Sequence, residues 1–387
     1  MRLRLVSLVT AALLLSGVTA AAASAEPPPA SDEATSSPMV RGFLRDRDGD
    51  FTTVAPRGAA AVKVGGLNDR GDVVGIGYPS PDRNDGGFTF LRDRRGRYAT
   101  FVAPGTGPES RTVGSDVNNR GQVVGWSDDG RRSFGYVRGR DGRFERIEHP
   151  DASGTVPDGR GGEISGTELN GVNDHGDMVG NFGADGTIYG FVRDRRGRYT
   201  TIRPPDAAAT LLAGINDRGE IVGAYSTVGP DDLLAGNPRG FVYNHGVYRD
   251  VTVPGAVGTW VNGINNRGQL AGAYADRDGV THGFIRDRDG DIETVEHPDA
   301  AGLGTAVYAI NDKAALTGAY LDTGTHDPDP CDSHRGPTDM GMTAATLAAP
   351  GDTVRTPRPD CTDAPTSGSS RTAAAVSKGS TYPETVT

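Results

Sequence analysis

The chain has 387 residues, 57 of them glycine and 25 proline, and only 35% are hydrophobic. That composition suits short strands joined by many turns and disfavours a helical domain. A formal net charge of −10 makes the chain as a whole a poor ligand for nucleic acid.

In chain order, Arg2 and Arg4 precede an apolar, small-residue stretch from Leu5 to Ala23, and Ala23-Ser24-Ala25 fits the small-x-small cleavage rule. Residues 1–25 therefore read as a secretory signal peptide. The expected destination is extracellular, with no membrane contact after cleavage, because no later segment is apolar enough to span a bilayer. Residues 26–39, rich in Pro, Ala and acids, read as a flexible spacer.

From Val40 to Tyr320 a motif returns six times, most clearly as GINDRGEIVGAY at Gly214–Tyr225 and GINNRGQLAGAY at Gly263–Tyr274. Its asparagines are Asn68, Asn118, Asn173, Asn216, Asn265 and Asn311, spaced 43 to 55 residues apart. A Gly-aromatic pair alternates with them, at Gly42-Phe43, Gly87-Phe88, Gly135-Tyr136, Gly190-Phe191, Gly240-Phe241 and Gly283-Phe284. Self-similarity at this period marks a repeat architecture.

One unit reads as four strands. The first is Tyr189–Asp194; the second, Tyr199–Ile202, is ended by Pro204-Pro205; the third is Leu211–Ile215; the fourth is Glu220–Tyr225. Asn-Asp-Arg-Gly between the third and fourth predicts a hairpin with a type I turn and a glycine bulge. The glycines at its end are Gly71, Gly121, Gly176, Gly219 and Gly268. The sixth copy, Asn311-Asp312-Lys313-Ala314, lacks the glycine, so a looser turn and a more irregular terminal repeat are expected. Four strands per unit predict an all-β fold, a six-bladed β-propeller spanning 40–321. A solenoid, the competing architecture, would need helices or parallel rungs, and no helical apolar period occurs. Whether first and last strands share a blade stays open at this point.

Each fourth strand also carries a glycine (Gly75, Gly125, Gly180, Gly223, Gly272, Gly318), which predicts close backbone approach, near a central axis. An aromatic follows: Tyr78, Trp126, Phe182, Tyr225, Tyr274 and Tyr320. These six are candidate stacking platforms for a sugar ligand; the competing reading is blade-to-blade packing.

Residues 322–387 are low in complexity, with a faint half-repeat echo at Ala345–Thr356. Cys331 and Cys361 lie there and would close a loop of about 30 residues as a disulfide, stabilising by roughly 3 to 4 kcal/mol at most; two free thiols are the alternative. His326, Cys331 and His334 superficially resemble metal-ligand spacing, without a second well-spaced pair.

The turns DRDGD at Asp46–Asp50 and Asp287–Asp291 offer clustered oxygens, but the equivalent DRRGR and YNHGV turns cannot hold calcium. A hairpin tip indifferent to charge explains all of them. No nucleophile elbow, zinc His-Glu motif or phosphate loop is present, and no cofactor is expected.

Six units with GIN(D/N)RG, a Gly-aromatic strand and the segment HGFIRDRDGD at His282–Asp291 resemble the HAF-type extracellular repeat family across Val40–Tyr320. His-x-Phe is intact only at His282-Gly283-Phe284. The resemblance implies a secreted, repeat-built protein and assigns no activity. The expected function is a monomeric binding or scaffold module for an extracellular glycan or protein. The alternative is a propeller hydrolase or lyase with its site in the long connections Pro79–Asp85, Asp151–Thr167 or Tyr225–Arg239.

Overall fold

The computed structural model describes residues 39–322, apart from 82–85, 108–109, 158–162, 236, 301 and 303. Residues 1–25, read from the sequence as a signal peptide, nearly all of the expected spacer 26–39, and the tail with Cys331 and Cys361 lie outside the described residues.

Six four-stranded antiparallel sheets form the blades of a β-propeller, and their inner strands neighbour one another in a closed cycle. Blade II is contiguous: Ala61–Leu67 innermost, then Val73–Tyr78, Phe88–Arg92 and, outermost, Tyr98–Phe101. Blades III to VI repeat that order, starting at Thr112, Thr167, Ala209 and Gly258. Blade I is composite. Its inner strands are Thr305–Ile310 and Leu316–Asp322, and its outer strands are Met39–Arg45 and Phe51–Val54. Seven register pairs, Met39↔Asp322 to Arg45↔Leu316, close the ring. The blade boundary thus falls inside the sequence repeat, and the ends of the repeat region meet in one sheet.

The strand glycine of one repeat and the aromatic of the next are cross-strand partners. Phe43 faces Gly318, Phe90 faces Gly75, Tyr136 faces Gly125, Phe191 faces Gly180, Phe241 faces Gly223 and Phe284 faces Gly272. All six rings are essentially inaccessible to solvent. A Cβ on the facing glycine would collide with the inner strand's carbonyl at every blade, and with the ring itself at five of them. These glycines therefore lie in the second strand of each blade, under an aromatic, and not beside the axis as the sequence suggested. Burying each ring contributes roughly 2–3 kcal/mol.

In blade II the true partner is Thr89-Phe90, one alternation beyond the Gly87-Phe88 pair read from sequence. Elsewhere the glycine before the aromatic makes room for a branched residue of the next blade's inner strand, as Gly190 does for Leu212 and Gly240 for Val261. Between blades II and III the sizes are exchanged. Thr89 is the bulky member and Gly114 the small one, and a Cβ on Gly114 would collide with the Thr89 methyl. Thr89 Oγ1 donates to Thr112 O (2.9 Å) and lies 3.0 Å from the Tyr136 hydroxyl, so the swapped residue is also satisfied.

The Asn turns form as expected. In blade II, Gly71 has φ 82° and its N–H donates to Asn68 O at 3.1 Å, while Asn68 N–H donates to Asp72 O at 3.0 Å. The sixth turn is not looser. Ala314 adopts the same left-handed conformation (φ 61°) and donates to Asn311 O at 3.0 Å. The ring described next holds Asn311 in register, so the alanine takes the strain.

Candidate functional site at the propeller axis

Each motif asparagine is buried, and in five of the six the amide bonds both within its own turn and to the next blade; Asn311, with Ala315 four residues on, keeps only the inter-blade bond from Nδ2. Asn68 Oδ1 accepts from Arg70 N and Asp72 N, both at 3.0 Å. Its Nδ2 donates to the Asp72 carboxylate and to Asn118 O in the next blade, again at 3.0 Å. The inter-blade bond then repeats from Asn118 to Asn173, Asn216, Asn265 and Asn311, and Asn311 Nδ2 returns to Asn68 O at 3.1 Å. Six side chains thus form a closed hydrogen-bonded ring around the axis. Only an amide supplies both the acceptor for the turn and the donor for the neighbour, which is why the residue is Asn.

The following residue makes a second ring. Asp69, Asn119, Asp174, Asp217, Asn266 and Asp312 each accept, through Oδ1, the backbone N–H of the equivalent residue in the preceding blade. Asn119 Nδ2 bridges the Asp69 and Asp174 carboxylates, both at 2.9 Å; Asn266 Nδ2 bridges Asp217 and Asp312 at 2.8 and 3.0 Å. Each amide thereby stands between two carboxylates and bonds both, easing their repulsion at four of the six interfaces; at the other two, Asp174–Asp217 and Asp312–Asp69, the aspartates are direct ring neighbours. The sequence showed the Asn turns as structural elements; the ring identity of the next position was not visible without the fold.

Below the rings lies a cavity of about 150 Å³. Every inner strand shifts register just before its Asn turn, as between Leu169 and Gly171, and the extra residue lines the cavity. These bulge positions bring Ser115, Asn170, Asn262 and Tyr308 to the axis. Asn170 and Asn262 donate Nδ2 to Leu212 O and Val307 O, at 2.7 and 2.8 Å. Asn170 Oδ1 and Ser115 Oγ are buried without a hydrogen-bond partner. Asp116 stands among glycines and an alanine at its level and accepts from Val117 N (2.8 Å) and Val172 N (3.0 Å). Burial pushes its carboxyl up to about 6, against the pull of those two amides, and nearby Asp174 adds to the rise. The wall is rich in acceptors and suits a donor group. None of these five positions was foreseen; their signal is a residue with a polar group where the other units carry Gly or Ala two or three places before the Asn.

At the opposite end, Trp260 Nε1 donates to Leu233 O at 3.3 Å. Leu233, on the short helix Pro230–Ala235, and Val156, on a strand at Thr155–Pro157, are both fully buried with Trp260, Leu211 and Tyr308 in one apolar cluster. Two of the long connections considered as enzyme loops therefore supply apolar residues that close over this end of the inner strands.

The six aromatics do not form open platforms. Tyr78, Trp126, Phe182, Tyr225 and Tyr320 are buried and Tyr274 is partly covered. Residues in the blades take up their faces: His149 stacks on Phe182 (3.8 Å, 6°) and His297 on Tyr320 (3.7 Å, 5°). Burial holds both imidazoles below the usual histidine range, so they stay neutral near pH 7. His282 differs. It stacks on Tyr274 (5.0 Å) with Nδ1 2.6 Å from Glu296 and Nε2 3.1 Å from Asp276. Although desolvation opposes it, the two carboxylates raise its affinity for a proton above the ordinary value.

The DRDGD turns use their first aspartate on backbone: Asp46 Oδ1 accepts from Asp48 N and Asp50 N, and Asp287 Oδ1 from Gly290 N and Asp291 N. Among the described residues no three His, Cys, Asp or Glu side chains converge to hold a metal.

No protein-family model and no curated protein matches the chain. Solved structures that align with it include a TolB from Acinetobacter baumannii (12% identity, TM-score 0.47, covering 73% of this chain and 65% of that one). A putative TolB from Agrobacterium tumefaciens aligns at 12% identity and TM-score 0.46, covering 74% and 99%. A lectin from Burkholderia pseudomallei aligns at 15% identity and TM-score 0.33, covering 66% and 95%.

Proposed function

We propose that this chain is an exported binding module for an extracellular glycan or protein, engaged at the face that carries the Asn turns. One observation carries the reading. Six near-identical turns converge on one side of the propeller around a polar-mouthed cavity, presenting equivalent loops to a single ligand surface. Rigid scaffolds of this kind place recognition on their loops. The signal-like residues 1–25 and the resemblance to HAF-type repeats support export.

The test is direct. Full-length secreted protein is applied to arrays of glycans and of extracellular surface proteins, and its location is read by fractionating expressing cells. Saturable binding and recovery in the medium are expected. Retention in the cytoplasm, or no binding on either array, overturns the reading.

A further inference from the structure

Both hairpins of every blade turn on this same face, so the inner Asn turns and the outer tips lie side by side. A Cβ at Gly71 would sit 3.5 Å from Arg94 Cβ, one at Gly121 3.1 Å from Arg70 Nη2 and 3.7 Å from Arg140, and one at Gly176 4.0 Å from Arg195. The fold therefore sorts tip charges that look scattered in the sequence. Tips Asp93–Arg97 of blade II and Asp194–Arg198 of blade IV each carry three arginines against one aspartate; tip Gly139–Arg143 of blade III carries two against one. The tip of blade V is neutral, and those of adjacent blades VI and I, Asp287–Asp291 and Asp46–Asp50, each carry three aspartates against one arginine. One side of the face is basic and the other acidic, in a chain whose net charge is −10.

Within the basic sector the aspartates are already used. Asp93 Oδ1 caps the amides of Arg95 and Arg97 and pairs with the Arg97 guanidinium at 2.6 Å; Asp194 does the same for Arg196 and Arg198, pairing at 2.7 Å. Each tip's single acid thus neutralises its last arginine. Exposed Arg94, Arg95, Arg140, Arg195 and Arg196 are left with no ion pair among the described residues. A surface depression lined by His175, Asp177, Arg195 and Arg196 lies in this sector.

We propose that the arc of blades II, III and IV binds an acidic glycan, a linear polysaccharide bearing carboxylate or sulfate groups; this rests on the binding-module reading above and names its ligand. Unpaired guanidinium forks match carboxylate and sulfate geometry in bidentate fashion. Three successive tips on one arc offer a row of contacts to a flexible, regularly charged chain. A protein interface would call for a desolvated apolar anchor, and among the described residues the exposed large apolar side chains near the sector are isolated, Tyr98 beside the blade II tip and Val247 at the neighbouring blade V tip. A rigid duplex would also meet the acidic mouth and the acidic tips of blades VI and I, which oppose it.

The experiment measures binding of the full chain to a sulfated glycan, a polyuronate, a neutral glucan and duplex DNA. It compares the native protein with Arg94→Gln/Arg95→Gln/Arg195→Gln/Arg196→Gln and with a control on the crossover side, Arg57→Gln/Arg277→Gln. Circular dichroism checks that both variants fold. The expected result is binding to at least one acidic glycan, weakened at least about tenfold in the quadruple variant, unchanged in the control, and reduced as salt rises from about 0.05 to about 0.5 M. The sulfated and uronate arms identify the anionic group. Undiminished acidic-glycan binding in the quadruple variant overturns the proposal, as does equally tight binding of duplex DNA. Binding of a neutral glycan or a surface protein alone overturns it while leaving the binding-module reading intact; no binding to anything overturns both.

Discussion

The Asn-turn face and the crossover face are built from the same six blades but under different rules. On the first, Asn68 to Asn311 and Asp69 to Asp312 must meet edge to edge in two closed rings, so every turn has the same length and dihedral pattern. Even Ala314 is forced into it. On the second, the strands are joined by connections of unequal length that carry a hairpin, the Pro230–Ala235 helix and the stacked histidines. Directional hydrogen bonds in a closed cycle leave no slack, since one misplaced member breaks two links. Apolar contacts on the crossover side only have to fill space, and Leu233 and Val156 fill it without repeating elsewhere. Symmetry in this propeller is thus a property of the bonding, and variation collects where bonding permits it.

The largest effect is expected at the ring. Asn265→Ala removes the acceptor for two backbone amides and the donor to Asn311 O in a buried setting, and should cost about 4 kcal/mol in chemical denaturation. Asn265→Asp should recover the turn but not the inter-blade link, falling between the two. A loss under about 1 kcal/mol for Asn265→Ala would break the contrast between the faces. On the crossover side, Leu233→Ala should cost about 3 kcal/mol through the cavity it leaves, and Leu233→Met much less, as filling space requires. Equal losses for both variants would show that shape matters there as strictly as on the ring.

The exchanged pair between blades II and III sharpens the point at the interface. Thr89→Gly and Gly114→Val should each destabilise, the first by an emptied space and a lost hydrogen bond, the second by collision. The double variant restores the arrangement of the other interfaces, with a coupling of about 1.5 kcal/mol in a double-mutant cycle. Additive losses would remove size complementarity as the explanation. Smaller still, Ala314→Gly should raise stability by about 0.5–1 kcal/mol by relieving the left-handed alanine. No gain would mean the turn carries no strain.

The last comparison is in pH. His282 has a raised folded value, so its contribution is complete below the unfolded histidine value near 6.5 and fades as pH rises through the folded one. His149 and His297 have lowered values, so theirs are complete above that value and fade as pH falls through the folded ones. His282→Gln should flatten the decline in thermal midpoint on the alkaline side of pH 6.5 and leave the acid side unaltered. An unchanged alkaline slope would show that Asp276 and Glu296 do not hold the proton there.

Much of the architecture was legible because the repeat is dictated by local chemistry. Asn and Gly at fixed turn positions, and Gly opposite an aromatic, leave marks in a single copy. The composite blade was not legible, since a four-strand period has no phase until a partner is chosen. Nor was Thr89, which keeps its interface by a compensating change at Gly114 in another unit. The aromatics misled in one direction only: a tyrosine after a strand glycine has the same sequence signature whether it faces solvent or, like Tyr320, a histidine from the neighbouring blade. Ser115, Asp116 and Asn170 were hidden because their importance comes from bulges that turn them to the axis, and a bulge is a relation between strands.

The composite blade fixes the timing of assembly. Arg41 reaches Asp322, 281 positions away, along the edge where Met39–Arg45 pairs with Leu316–Asp322. Met39–Arg45 emerges early in synthesis and waits for Leu316–Asp322, so five blades must exist before the toroid can lock. Loop-closure entropy grows only logarithmically over such a distance, so the delay is kinetic and costs little at equilibrium.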